Sequence, residues 1–234
     1  LPINCANSQK EQIRDIVIVN GEGTMHHGNG YQLDRTIDLC KGKRAFLINT
    51  VFDKPEFRNK LNFELIATRE SLSAEQVKKH TDTEVMVVPD LSLYQMPKVF
   101  TDVSYKIGYT SGITPENKDI LGHLKNHRSM IKDPDYLKWL NALDFYVTGR
   151  FHGVCMAAYY GIPFLAFKSN SHKIEGMLKD MGCSDLLIER EEEISHKLRL
   201  GRHLIDKAQK YAKEARAKQE QLFEKLSRTI QNTA

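Results

Sequence analysis

Residues 145–167 read FYVTGRFHGVCMAAYYGIPFLAF, and the fold class turns on them. The segments FYVT (145–148) and IPFLAF (162–167) are short, rich in Phe, Val and Ile, and free of polar alternation. Strands buried on both faces of a parallel sheet have this composition. Between them residues 153–160 read as a helix, and Gly161-Ile162-Pro163 opens the second strand. Strand, helix, strand in so short a span is a βαβ unit.

The same rhythm continues on both sides. Apolar runs precede it at 15–20 (DIVIVN), 45–52 (AFLINTVF), 63–68 (FELIAT), 84–88 (EVMVV) and 105–109 (YKIGY), and one comes after it at 186–189 (LLIE). Helical stretches are expected at 32–40, 73–80, 115–130, 135–141 and 173–181. The fold expected is α/β, with two Rossmann-like parallel-sheet halves. Residues 1–94 form the first half and 95–190 the second, which carries the RFHG sequence. Residues 91–103, interrupted by Pro97, read as the linker between them. From about residue 191 the chain is charged and free of Pro. Leu198, Leu204, Ile205, Ala208, Tyr211, Ala212, Ala215, Leu222, Phe223 and Leu226 recur there at helical spacing. Residues 191–234 are therefore expected to form one long amphipathic helix, kinked near Gly201 and packed against the rest of the chain. A peripheral membrane or partner contact through this helix is the lesser expectation.

Composition agrees with a globular chain. Of 234 residues, 41% are hydrophobic and 27% charged, close to the soluble average. No run approaches the ~20 apolar residues of a membrane span. The net charge of +4, from 34 Lys and Arg against 30 Asp and Glu, comes without a basic block, so no nucleic-acid partner is expected. Cys5, Cys40, Cys155 and Cys183 are far apart and form no C-x-x-C, which fits a reducing compartment. No signal peptide is visible, and the chain starts at Leu1 rather than Met.

Ligands of open α/β sheets bind beyond the carboxyl ends of the strands. The residues just past each strand are therefore the first candidates. DIVIVN leads into Gly21-Glu22-Gly23-Thr24-Met25-His26-His27-Gly28, which combines backbone clearance with a carboxylate, a hydroxyl and two imidazoles. Neither the G-x-G-x-x-G spacing nor a Walker lysine is present. FELIAT leads into Arg69-Glu70-Ser71, where a guanidinium suits a carboxylate or phosphate. Ser71 or Ser73 is a cap for the next helix, with Gln76 completing a capping box. EVMVV leads into Pro89-Asp90, a catalytic carboxylate or a turn residue.

FYVT leads into Gly149-Arg150-Phe151-His152-Gly153. Here an arginine at a strand end meets a helix N-terminus, whose free N–H groups favour an anion. His152 on that turn is a candidate acid–base group. Lys168 and the polar residues 169–173 come after the next strand, as a far wall of the same pocket or as a capped surface loop. His123 and His127 share a helix face at i, i+4 but lack H-E-x-x-H, so a solvated face is expected and no metal site.

Taken together, DIVIVNGEGTMHH, ATRESLS, VVPDLSL, GRFHGVCMAAYYGIPFLAFK and KIEGMLKDMG resemble the polysaccharide pyruvyl transferase family in order and spacing, over roughly residues 15–183. The resemblance implies a GT-B-like pair of Rossmann domains. It also implies transfer of the pyruvyl group of phosphoenolpyruvate onto sugar hydroxyls as a ketal, in surface-polysaccharide assembly on the cytoplasmic side. The family's R-L-H motif falls on Arg150, Phe151 and His152, and its R-D-x-x-S motif on Arg69, Glu70 and Ser73. By resemblance Arg69 and Arg150 hold the donor's carboxylate and phosphate and His152 is the acid–base group.

The expected catalytic set is His152, Glu22 and Asp90, with Glu22 or Asp90 deprotonating the sugar hydroxyl. The expected substrate-binding set is Arg69, Arg150, Phe151, Gly153, Gly21, Gly23, Thr24, His26, His27 and Lys168. The partners are a small anionic donor and a sugar or polysaccharide acceptor, and no cofactor or metal is required. Phe151 stands where the family has Leu, and Glu70 where it has Asp. About 14 residues precede the first strand, where the family has further βα units, so either the first half is incomplete at its N-terminus or the fold is abridged.

Two other readings stay open at this stage. One is a glycosyltransferase using a nucleotide-activated sugar, such as a CMP-ulosonic acid, with Asp90 and Glu22 as its carboxylates. The other is a non-catalytic anion- or glycan-binding module.

Overall fold

The alternating runs fold into two four-stranded parallel sheets. The computed structural model describes residues 15–21, 31–53, 61–112, 128 and 133–231. The chain divides into two units, residues 1–88 with 220–234, and residues 89–219.

The first unit contains β1 (Ile16–Asn20), α1 (Tyr31–Cys40), β2 (Arg44–Thr50), β3 (Leu65–Thr68), α2 (Ser71–Val77) and β4 (Val85–Val87). Its strands lie in the order β1-β2-β3-β4, every neighbouring pair parallel. Leu47, Phe52, Leu61, Phe63, Ile66 and Val77 form its core with Ile37 of α1. β2 and β3 are buried along their length, as their unbroken apolar composition predicts. β1 departs from that expectation. It is an edge strand, and Ile16 and Ile18 are exposed.

The pairing of β2 with β3 shifts register between Leu47 and Thr50, after which Thr50 pairs with Thr68. Asn49 lies in this irregularity with a left-handed backbone, φ 54°. Asn tolerates that region better than most side chains.

The second unit begins with a short 3-10 turn, Leu91–Leu93. It continues through β5 (Gly108–Thr110), α3 (Tyr136–Asn141), β6 (Tyr146–Thr148), α4 (Phe151–Tyr160), β7 (Phe164–Phe167), α5 (Lys173–Asp180) and β8 (Leu187–Ile188). These strands are also parallel, in the order β5-β6-β7-β8. α4 is buried along most of its length and ends on Gly161, φ 73°, a left-handed cap that glycine adopts at no steric cost. Leu93 of the 3-10 turn belongs to this unit's core, so the segment expected to be a linker contributes an anchor here.

The last helix, α6 (Glu193–Gln231), is continuous through Gly201. No room exists there for a side chain. A Cβ on Gly201 would come within 2.6 Å of the Phe145 ring and 3.0 Å of the Phe164 carbonyl. The glycine thus serves close packing of helix on sheet, not the kink its presence suggests. Leu204, Ala208, Tyr211, Ala212 and Ala215 join the core of the second unit. Leu222 and Leu226 are buried further along, and Phe223 lies off the stripe and is exposed. Within the first unit, Arg44 forks onto Glu64 at 2.7 and 2.8 Å and donates to the carbonyls of Thr229 and Ile230.

Cys40, Cys155 and Cys183 are buried free thiols. Burial pushes the thiol pKa of Cys40 and of Cys183 up. No described helix is long and apolar enough to cross a membrane. The helix expected at 115–130, with His123 and His127, falls outside the described residues apart from Arg128. Among the described strands the order never reverses within a sheet, so a crevice made by such a reversal is absent from both. What positions functional groups here is the row of strand carboxyl ends.

Candidate functional site

β6 ends at Thr148, and Gly149 and Arg150 carry the chain into α4. Arg150 is the extended residue before the helix, φ −106° and ψ 129°. As an N-cap it offers the first-turn amides no acceptor, unlike the Ser, Thr, Asp or Asn usually found there. Those amides and the positive end of the helix dipole favour an anion. The Arg150 side chain is half-buried, and its Nε donates to the Ser111 carbonyl, just beyond β5, at 3.0 Å. Both terminal nitrogens have no hydrogen-bond or ion-pair partner among the described residues. A guanidinium held by Nε with its two Nη groups available is preorganised for two-point contact with a phosphate or carboxylate.

His152, two residues further on, is 34% exposed, while its neighbour Asp90 is 2% exposed. Nε2 of the ring stands 3.7 Å from Asp90 Oδ1. That is too long for a hydrogen bond, so the carboxylate faces the ring without bonding it. Asp90 is held from two sides. Its Oδ1 accepts the Ser92 amide at 2.9 Å as the cap of the 3-10 turn. Gln219 of α6, fully buried, donates through Nε2 to the carbonyls of Asp90 at 2.7 Å and Pro89 at 3.2 Å.

The first unit carries a second arginine at a strand end. Arg69 comes directly after β3 and is 3% exposed. Its Nε donates to both the carbonyl and the side-chain oxygen of Asn49, each at 3.1 Å. Asn49 Nδ2 donates in turn to Asn20 Oδ1 at 3.1 Å. Three strand ends are thereby joined by one row of polar side chains. The next helix is capped by Glu70, not by a serine. Both Glu70 oxygens accept the Ser73 amide, at 3.1 and 3.0 Å, and the Ser73 hydroxyl donates to the same carboxylate. Ser73 Oγ also accepts the Phe52 amide at 2.9 Å. The acid and the hydroxyl of the capping pair are exchanged relative to the serine-led box expected from the sequence.

Phe151 turns into the core at 4% exposure, with its ring edge-on to His152 at 5.5 Å between centroids. Gly153 is required from below. A Cβ there would come within 2.7 Å of Thr148 Oγ1 and 2.8 Å of the Tyr146 hydroxyl. Gly21 is required in the same way, since its Cβ would strike Thr50 Oγ1. Lys168 extends to Glu189, Nζ to Oε1 2.7 Å, both side chains well exposed. The Glu189 carboxylate beside it raises the lysine's pKa, and Lys168 lowers that of Glu189. Glu22, Gly23, Thr24, His26 and His27 fall outside the described residues.

Arg150, His152 and Asp90 thus come together in the second unit, on α4 and the 3-10 turn. Arg69 and Gly21 belong to the first unit. Sequence reasoning missed Gln219, Ser111 and Asn49. Gln219 falls on the apolar stripe of α6, and a polar residue at a stripe position is the available signal. Asn49 is the polar residue inside the apolar run AFLINTVF. Ser111 acts through its carbonyl, for which side-chain type carries no signal.

A family model described as polysaccharide pyruvyl transferase matches residues 5–171. No curated protein matches the chain in sequence. Among solved structures, an uncharacterized protein of Klebsiella pneumoniae subsp. pneumoniae is 15% identical with a TM-score of 0.51, covering 74% of this chain and 75% of its own. That likeness is one of fold. An O-GlcNAc transferase variant of Thermobaculum terrenum is 14% identical with a TM-score of 0.47, covering all of this chain and 72% of its own. A chain of the GtfA/B complex is 10% identical with a TM-score of 0.45, over 82% of this chain and 55% of its own.

Proposed function

Because the chain belongs to the polysaccharide pyruvyl transferase family, we propose that it transfers the pyruvyl group of phosphoenolpyruvate to two hydroxyls of a sugar, as a ketal, with release of phosphate. The observation that carries this reading is Arg150. Its Nε is anchored on Ser111, its Nη groups are without partners among the described residues, and it precedes a helix start that lacks an acceptor side chain. A small, multiply charged anion suits such a corner.

In this reading Arg150 and the first-turn amides of α4 bind the donor's phosphate. His152, as imidazolium, delivers a proton to the donor's methylene carbon. An oxocarbenium-like centre develops at C2, a sugar hydroxyl attacks it, and His152 recovers its proton from that hydroxyl. Phosphate departs, the second hydroxyl closes the ketal, and its proton leaves with the phosphate. The donor's CH2 becomes CH3, so atoms and charge balance. Arg150 stabilises the charge that builds on the leaving phosphate. Asp90, at 2% exposure and 3.7 Å from the imidazole, acts through His152 and not on the sugar. It faces the ring and is held in position by Ser92 and Gln219.

The test is calorimetric titration of the purified chain with phosphoenolpyruvate, CMP and UDP, repeated on Arg150→Ala. The expected result is binding of phosphoenolpyruvate alone, weakened at least about 30-fold by the substitution, the loss of a two-point charged contact. Binding of a nucleotide and not of phosphoenolpyruvate would overturn the reading in favour of a glycosyl donor.

A further inference from the structure

Beneath Arg150 lies a group of hydroxyls that the reaction does not use. Thr110 ends β5 and Thr148 ends β6, and the two are register partners. Tyr146 opens β6, and Tyr136 opens α3. Exposure is 1% for Thr110, 0% for Thr148 and Tyr146, and 4% for Tyr136. The two tyrosine hydroxyls are in direct hydrogen-bond contact. Thr110 Oγ1 lies 3.3 Å from the Tyr136 hydroxyl. The Tyr146 hydroxyl also lies beside those of Thr110 and Thr148. At the top of the group, Thr148 Oγ1 accepts the backbone N–H of Arg150 at 3.0 Å.

Burying four hydroxyls costs free energy unless every one is satisfied. Phenylalanine at 146 and 136 and valine at 148 would fill the same space without that cost, so apolar packing does not account for the choice. The bonds do. Thr148 Oγ1 accepts the Arg150 amide, and the Thr148 hydroxyl lies beside that of Tyr146, which is bonded in turn to Tyr136. Linked hydrogen bonds polarise and strengthen one another. The group ends at the amide of the residue that leads into α4. Burial raises the pKa of both phenols, with the other phenol adding to this at Tyr136. Gly153 seals the group from above, because any side chain there would strike Thr148 and Tyr146.

We propose that Thr148, Tyr146, Tyr136 and Thr110 form a positioning column for Arg150, fixing the backbone from which its guanidinium reaches the donor. The column rests on the reading of Arg150 as the anion-binding arginine, but its first effect is on an amide and needs no ligand. Thr148→Val removes the acceptor at constant shape, Thr148→Ser restores it, and Tyr146→Phe cuts the chain one step lower.

The experiment reads amide hydrogen exchange at Arg150 by NMR on the full chain, then phosphoenolpyruvate affinity and the pH profile of turnover. Thr148→Val is expected to speed Arg150 exchange at least about 10-fold and to weaken donor binding about 10-fold. Thr148→Ser is expected to match the unsubstituted chain, and Tyr146→Phe to fall between. The pH profile should stay unchanged, because His152 is untouched, whereas general loss of structure would lower turnover at every pH. Arg150 exchange at the unsubstituted rate in a folded Thr148→Val chain would overturn the column. If the unsubstituted chain fails to bind phosphoenolpyruvate, the transfer reading falls while Arg150 exchange still decides the column.

Discussion

Arg69 and Arg150 are built alike up to a point. Each stands past the carboxyl end of a parallel strand, and each gives its Nε to a carbonyl at the end of the neighbouring strand, Asn49 in one unit and Ser111 in the other. In each sheet a pair of threonines stands in register at that edge, Thr50 with Thr68 and Thr110 with Thr148. The units differ in what comes next. After Arg69 the helix is closed by its own carboxylate, Glu70, and the arginine is buried. After Arg150 the helix start carries no acceptor, and the guanidinium keeps its Nη groups for something else. One edge caps its own helix; the other leaves its helix start open to an anion from outside. A strand-end arginine is therefore not a site by itself. What the helix cap contributes decides.

Four substitutions press on this contrast. Arg69→Ala should cost about 3 kcal/mol of stability, since it removes charge-assisted bonds from a buried row. Arg150→Ala should change the unfolding midpoint little while abolishing donor binding. Paired denaturant melts and titrations check both, and equal loss of stability in the two variants would erase the distinction. Gln219→Leu should cost about 2 kcal/mol, because two carbonyls lose a buried donor. It should also lower turnover more than donor affinity, since it loosens Asp90 and not Arg150. Glu70→Ala should cost about 1–2 kcal/mol, the usual loss for a helix cap, and leave donor binding in place. A large loss of binding would mean that the first edge also serves the ligand.

The smallest effect is expected at Glu193, a partly buried side chain at the start of α6. It accepts the amides of Glu189 at 2.9 Å and Arg190 at 3.0 Å. The Glu189 amide, then Lys197, bring its pKa down to about 2. A depressed pKa contributes stability above the ordinary carboxylate range, near about 4.3, and loses it as pH falls through the folded value. Glu193→Gln should therefore melt slightly earlier at pH 6 and converge with the unsubstituted chain toward pH 2. A constant offset across that range would mean that the carboxylate's charge contributes nothing.

Much of the fold is legible in the sequence because parallel strands leave a plain trace. Runs such as EVMVV and IPFLAF carry no polar alternation, and each of the eight runs overlaps a strand. The surroundings of β1 are not legible, because DIVIVN has the composition of a central strand and composition does not reveal which strand ends at an edge. The long helix is legible from its stripe, yet Gln219 escapes notice there when the stripe is read for apolar residues alone. Gly153 and Gly201 stand out as special positions, but for reasons the sequence does not show. One meets two hydroxyls and the other a phenylalanine ring, and the ring is far away in sequence.

The candidate site divides in the same way. Strand-end chemistry is local, so Arg150, His152, Asp90 and Arg69 are visible as residue types just past apolar runs. Their states are not. Whether an arginine is buried or half-buried, and which carbonyl holds its Nε, depends on another strand, tens of residues away.

The sequence by itself determined the βαβ alternation, the positions of the strand ends and the long amphipathic helix, because each arises from periodicity and composition within a few residues. Tertiary structure alone decided that Glu70 closes its helix while Arg150 leaves its own without an acceptor. It alone brought Gln219 to Asp90, and four hydroxyls into line beneath the Arg150 amide. Hydrogen bonds are satisfied by whatever the fold brings within about 3 Å, and that is a property of packing, not of order along the chain.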